Sequence, residues 1–242
     1  MEKNGFFKRV YTKIEVQEFI EKYSAIYYEG GGKLDLGISQ NSRFVEEKIE
    51  QLLQDGIKTK VDIIHILAWK IGKIKVKESE SEKQFIYSED WKNAESFKVK
   101  NRGREMDLTE FVNYVHNNIR DLEELAMHDQ QETLNLLKAK SPKGIGTVYL
   151  ITMLYFISKG KYPIYDQFAK IAVDAIQKGI EPEEYVEYKE LPEKDNKKFK
   201  DVFRIYEETY VNKLKDIFGI EDYNKRDVDR ALWVYGHYFK SN

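Results

Sequence analysis

One uncharged stretch constrains the fold of this chain more than any other feature. It runs from Gly144 to Ser158, reads GIGTVYLITMLYFIS, and is flanked by lysine-containing turns. A bilayer requires about 20 consecutive apolar residues, so this stretch is too short to cross one. An apolar segment of this length is typical of a helix buried in a protein core. The rest of the chain must therefore supply the elements that cover it.

Apolar residues recur at helical spacing through most of the chain. One example, RFVEEKIEQLLQDG, starts at Arg43 and ends at Gly56. No spacing demands a sheet, so we predict an all-α fold. The charged segment of residues 73–104 has no sustained helical period, and there we expect a short irregular or β-containing insertion. We expect residues 1–242 to form a single mostly helical domain, with two helical lobes as the alternative.

Composition narrows the classes of function. The chain has no cysteine, which excludes disulfides, thiolate zinc sites and cysteine nucleophiles and indicates a cytoplasmic setting. No two histidines have metal-ligand spacing on one helix, so we predict no metal site. The net charge of -2 argues against a generally basic nucleic-acid coat but leaves room for a local basic patch. We expect no signal sequence and no membrane segment.

The turn SPKGIG, from Ser141 to Gly146, precedes the uncharged helix, which we expect to begin near Thr147. Glycines in such a turn let the backbone approach another molecule closely. The first amides of a helix have no intrahelical acceptor, and the helix dipole adds positive charge behind them. This position suits a phosphate-sized anion. The alternative is a tight interhelical turn without a ligand.

A proline and a lone acid follow the uncharged helix. Pro163 suits the first turn of the next helix, and Asp166 would then lie in or near that turn. Asp166 is either a helix-start acid favoured by the dipole or a carboxylate that projects into a cleft. Lysines flank the apolar helix in sequence, and some could surround the anion site: Lys138, Lys140, Lys143, Lys159 and Lys161.

The order of these features resembles the helix-hairpin-helix DNA glycosylase superfamily. The resemblance covers Leu134 to Gly179, which contain a helix, a GIG hairpin, a buried helix and a proline segment with its Asp. The segments YPIYD and RDVDRALWVYGH also look like a bacterial set of oxoguanine-glycosylase-like proteins. The resemblance implies a glycosylase-like helical bundle in which residues 134–179 carry the hairpin and the Pro/Asp segment. It also implies binding to double-stranded DNA and a role in DNA repair as a hydrolase.

The resemblance assigns roles to individual residues. Hairpin amides would hold a DNA phosphate with lysines beside them, and the set is Gly144, Ile145, Gly146, Lys143 and Lys140. No cofactor is expected, apart from a monovalent cation that superfamily members often hold at the hairpin. Asp166 would stabilise a positively charged sugar or activate a water as the base departs. An extruded base would stack on an aromatic side chain, and the candidates are Tyr149, Tyr162, Tyr165 and Trp69.

Two positions depart from the superfamily pattern. Members that also cleave the DNA strand carry a lysine two residues after the second hairpin glycine, and here that position is Val148. The resemblance therefore implies a monofunctional glycosylase. The superfamily spacing is Pro-x-Asp, whereas two residues separate Pro163 from Asp166. One extra residue rotates a helical position by about 100°, which would turn Asp166 towards capping its helix.

Two other functions fit the same sequence, so enzymatic activity stays an open question at this point. A protein of the same fold without the chemistry would be a nucleic-acid-binding or defence-associated adaptor. A helical protein-interaction module without a nucleic-acid role is supported by the near-zero net charge and by the acidic tracts ESESE and EPEEYVEYKE. The sequence predicts neither a target base nor an oligomeric state.

Overall fold

The computed structural model describes residues 13–29, 43–78, 83–101, 103–179, 199–219 and 225–239. The chain divides into two compact units. We call Met1–Asn41 together with Tyr165–Asn242 the terminal unit, and Ser42–Ile164 the hairpin unit. Both are mostly helical in their described parts, and the described strands all belong to the hairpin unit. The prediction of a mainly α-helical fold is confirmed.

The terminal unit combines helices from both ends of the chain. They are α1 (Lys13–Glu29), α8 (Gln167–Lys178), α9 (Phe199–Arg204), a π-helical segment (Ile205–Val211), α10 (Asn212–Phe218) and α11 (Asp227–His237). Helix α11 packs against both α1 and α8. The rings of Phe19 and Tyr23 on α1 lie 5.2 Å and 5.0 Å from the ring of Tyr235 on α11. Edge-on aromatic packing of this kind joins the two ends of the chain.

A glycine allows α11 to approach α8 closely. A Cβ atom placed on Gly236 would lie 2.0 Å from the carbonyl oxygen of Phe168 and 2.9 Å from its Cα. The ring of His237 stacks on the ring of Phe168 with a centroid distance of 3.5 Å. The two helices are therefore in direct backbone contact at Gly236, and any side chain there would force them apart.

The hairpin unit surrounds one apolar helix. Its helices are α2 (Arg43–Asp55), α3 (Lys60–Lys70), α4 (Thr109–Asn117), α5 (Ile119–His128), α6 (Gln130–Lys140) and α7 (Thr147–Ile157). Helix α7 packs against α3, α5 and α6, and every residue from Leu150 to Ile157 is buried. The prediction that this uncharged stretch forms a core helix beginning at Thr147 is confirmed. A capping box formed by Thr59 and Asp62 starts the neighbouring helix α3.

The insertion between α3 and α4 contains two antiparallel hairpins. Its strands are β1 (Ile74–Glu78) paired with β2 (Lys83–Tyr87), and β3 (Lys98–Asn101) paired with β4 (Arg104–Asp107). Trp91, Val99 and Met106 of the insertion are buried. The predicted short β-containing insertion is confirmed, and it extends to Asp107. The described residues contain no helix long and apolar enough to cross a membrane.

We expect the Gly236→Ala substitution to destabilise the protein. The added methyl group would overlap the Phe168 backbone, and overpacking of this kind typically costs about 1–3 kcal/mol in the free energy of unfolding. Chemical denaturation would measure the loss. Ala25→Ser also adds one heavy atom, but at an exposed position of α1, and should change stability by no more than about 0.5 kcal/mol. Equal stabilities of the two variants would contradict the close helix contact.

Candidate nucleic-acid interface

The corner formed by residues 142–147 has one buried anchor between two exposed glycines. Gly144 and Gly146 are exposed, whereas Ile145 between them is buried. The amide of Ile145 donates to the carbonyl oxygen of Pro142 at 3.2 Å and closes the turn. Gly144 has a φ of +113°, which side-chain-bearing residues rarely adopt. The corner therefore places two glycines at the surface while Ile145 holds it against the core.

The first turn of α7 directly follows this corner along the chain. Gly146 is the N-cap residue, with φ −83° and ψ 169°, and it has no side chain with which to cap the helix. Within the described ranges, no hydrogen bond occupies the amides of Thr147 and Val148. Two unoccupied donors at the positive end of a buried helix form a favourable environment for an anion.

An open pocket with a volume of about 670 Å³ lies beside the corner. Its lining residues come from the corner, from the start of α7 and from strand β4: Lys143, Gly144, Gly146, Tyr149, Arg104, Glu105 and Met106. Four residues that the sequence singled out thus line one pocket, namely Lys143, Gly144, Gly146 and Tyr149. Met106 lies closest to the corner, since its Sδ atom is 3.2 Å from the position that a Cβ of Gly144 would take.

Lys140 lies outside this pocket lining. Its Nζ is 3.4 Å from Glu110 Oε1 and 5.7 Å from the ring centroid of Tyr114. Lys140 is exposed, so this ion pair contributes little to stability and leaves the lysine able to exchange partners. Its assignment to phosphate binding stays a prediction. Lys143, which is also exposed, is the lysine of this pair that borders the glycine corner.

The three other aromatic candidates for a base pocket have structural contacts. Trp69 is half-buried and donates from its Nε1 to Oε1 of the buried Glu46 at 2.8 Å. Tyr162 is also half-buried, and Lys161 Nζ lies 5.6 Å from its ring centroid. Tyr165 belongs to the terminal unit, where it is buried against two tyrosines of the π-helical segment, Tyr206 and Tyr210. Their role in stacking a base stays a prediction.

Asp166 is the N-cap of α8. Its Oδ1 accepts hydrogen bonds from the amides of Phe168 and Ala169, both at 2.9 Å. The prediction that α8 starts at Pro163 is wrong, because Asp166 is extended (φ −149°, ψ 175°) and the helix begins at Gln167. The extra residue between Pro163 and Asp166 was expected to rotate Asp166 around the helix by one position. Because Asp166 lies outside the helix, this rotation does not occur. Asp166 is half-buried. Its capping of the helix neither supports nor excludes a role in catalysis, which stays a prediction.

Sequence reasoning missed Arg104 and Met106 as neighbours of the glycine corner. Both lie on β4 of the insertion, far from the corner along the chain. A sequence signal was present, because Gly103 lies in the basic run KNRGR and glycine is typical of a hairpin turn. In the structure Gly103 has a φ of +76°. Only the packing of Met106 against Gly144 reveals which surface that turn borders.

The resemblance also implies a monovalent cation at the corner. Such ions take backbone carbonyl oxygens as ligands, and residues 143–146 present these groups at an exposed turn. The carbonyl oxygens of Pro142 and Gly146 accept backbone hydrogen bonds. Binding of a cation at the corner therefore stays a prediction.

Comparison of this chain with protein-family models, with curated proteins and with solved structures found no match. A functional assignment therefore depends on the residues of the chain and on the geometry of the corner.

We expect Asp166→Ala to lower the free energy of unfolding by about 1 kcal/mol, because it removes the side chain that caps α8. Asp166→Asn should lose less than half of that amount, since asparagine caps helices about as well as aspartate. Denaturant titration of the three proteins would measure both differences. Equal losses in the two variants would show that the charge of Asp166, rather than its capping hydrogen bonds, supports the fold.

Proposed function

We propose that this protein binds double-stranded DNA through its glycine corner. The observation that carries the proposal is the exposed corner itself, in which two glycines lead into a helix whose first amides have no acceptor among the described residues. Lys143 borders the same pocket and adds a positive charge. Backbone amides, a helix dipole and a lysine together match the chemistry of a DNA phosphate.

Contacts of this type position a protein on DNA without reading its sequence. Phosphate contacts carry no base information, so binding through the corner should be similar for duplexes of different sequence. It should also weaken as salt rises, because cations are released from DNA when lysines replace them. The net charge of -2 is compatible with this, since a short basic surface suffices for local contact.

The reaction that we propose is hydrolytic release of a damaged or modified base. The glycosidic bond between C1′ and the base nitrogen breaks, the departing base takes the bonding electrons and a proton, and water oxygen bonds to C1′. Asp166 would stabilise the positive charge on the sugar or accept the proton of that water. Two amides hold its carboxylate in place, and Asp166 is only half-buried, which supports access for a ligand. Val148 at the position of the superfamily lysine supports base release without strand cleavage.

A second candidate is a DNA-binding adaptor of the same fold without catalysis. The two capping hydrogen bonds of Asp166 favour it, because they provide a structural reason for an acid at this position. The two candidates share the DNA contact and differ only in base release. Absence of binding to any nucleic acid at low salt would instead support a protein-interaction module.

We expect Gly146→Asp to abolish binding to duplex DNA while preserving the fold. Aspartate is a better N-cap than glycine, so the substitution should retain or slightly raise stability. Its carboxylate would take the amides offered to the phosphate and repel the DNA. Fluorescence anisotropy with a short labelled duplex should show no binding at protein concentrations that saturate the wild type.

Gly146→Asn is the matched control for this substitution, because asparagine has the same shape and capping ability without the charge. It should bind more weakly than the wild type and more tightly than Gly146→Asp. Wild-type affinity in the aspartate variant would refute the corner as the DNA contact.

We expect Asp166→Asn to lose base release. Removal of a group that stabilises a transition-state charge commonly lowers the rate by about 10²–10³-fold. The assay would follow free base released from duplex oligonucleotides that each carry one lesion from a broad panel. Equal release by wild type and variant would exclude Asp166 as the catalytic carboxylate. A wild type that binds the duplexes but releases no base would favour the adaptor.

A further inference from the structure

We infer that the β3–β4 hairpin is a second contact with the DNA backbone, in which Arg104 binds phosphate beside the glycine corner. The inference rests on the proposed function and extends it to the insertion, for which the sequence suggested no role. It is carried by the packing of β4 against the corner, by the distribution of charge on the hairpin, and by the pocket between them.

The packing of Met106 places Arg104 on the side of the hairpin that borders the corner. Side chains alternate between the two faces of a strand, so Arg104 and Met106 share one face of β4. Met106 is buried, and its Sδ atom lies against Gly144. Arg104 is two residues earlier, at the exposed end of the strand, and it lines the same pocket as Lys143 and Gly146.

The opposite face of the hairpin contains oppositely charged register pairs. Glu105 lies across from Lys100, and Asp107 lies across from Lys98. These four residues also line a second pocket, which has a volume of about 470 Å³. Hydrogen bonds from Thr109 hold the pKa of the Asp107 carboxyl below its ordinary value, and Lys98 lowers that pKa further. The acids of this hairpin are thus matched by lysines across the strands.

Arg104 has no acidic residue across from it in the register. Its register partner is the uncharged Asn101. Neither Arg104 nor Lys143 makes an ion pair or a side-chain hydrogen bond with any other residue that the structure describes, whereas Lys73 is 2.9 Å from Asp90. Two cations without an ion pair among the described residues therefore border one pocket, together with the first amides of α7 and with one acid, Glu105.

The pocket suits part of a nucleic-acid strand. Its volume of about 670 Å³ lies within the range of about 300–1,000 Å³ that is usual for small organic ligands. It can therefore hold a phosphate together with its sugar or base. The planar guanidinium of Arg104 can donate two parallel hydrogen bonds to one phosphate, and Tyr149 offers a ring on which a base can stack. A backbone segment with adjacent phosphates would thus be held by Arg104 on one side and by the corner on the other.

The test measures how duplex affinity depends on salt in single-cation variants. Each phosphate contact contributes about 0.9 to the slope of log K against log salt concentration. Arg104→Gln and Lys143→Gln should each reduce this slope by about 0.9, and the double variant by about 1.8. Arg104→Gln should also weaken binding about tenfold, by a similar factor for duplexes of different sequence.

Lys100→Gln is the matched control, because it removes the same charge from the opposite face of the same hairpin. It should leave the slope nearly unchanged. Arg104 and Lys100 are both exposed, so thermal unfolding should show that all variants fold like the wild type. A slope for Arg104→Gln equal to that of Lys100→Gln or of the wild type would overturn the inference.

The design separates failure of this inference from failure of the proposed function. If the wild type does not bind duplex DNA at low salt, the proposed function and the inference both fail. If the wild type binds and Gly146→Asp abolishes binding, but Arg104→Gln keeps the wild-type slope, the corner contact stands and only the hairpin contact is refuted.

Discussion

Burial of helix α7 is the constraint on which the candidate interface depends. All residues from Leu150 to Ile157 are buried among α3, α5 and α6, so the helix axis has little freedom to move. The glycine corner precedes this helix, and Ile145 anchors it to the same core. The amides of the first turn are therefore fixed before any ligand arrives. Donors held in this way need no reorganisation when an anion binds, which is the condition under which they are most effective.

The β insertion would allow a near-neutral protein to contact the anionic partner that we propose. A net charge of -2 provides no general attraction to DNA. On the β3–β4 hairpin, however, the acids lie in register with lysines, and Arg104 lies on the face that carries Met106. The paired acids and lysines thus lie on one face of this hairpin and Arg104 lies on the other, within a few residues of one another. Two cations, Arg104 and Lys143, and one acid, Glu105, thus line the pocket beside the first amides of α7, and overall composition does not reveal this arrangement.

Asp166 has one role that the structure shows and a second role that only the resemblance implies. The resemblance to DNA glycosylases implies that it is the catalytic carboxylate, and its geometry shows that it is the N-cap of α8. A capping carboxylate is held by backbone amides, which also fixes its position for chemistry. The proline start that the sequence favoured did not form, because the extended residue Asp166 supplies the first acceptor of the helix. Both proline and aspartate mark helix starts, and local propensity does not rank them when they lie close together.

The sequence by itself determined the features that depend on neighbouring residues. The uncharged run became the core helix α7, and the two glycines of the GIG turn lie exposed before it. The charged, aperiodic segment contains two β hairpins. Only the tertiary structure decided which distant residues meet. Arg104 and Met106 are separated from the corner by three helices of the chain, and their position follows from packing of Met106 onto Gly144. Side-chain periodicity describes the face of a single element, whereas contact between elements depends on how their volumes fit together, and no local pattern records that fit.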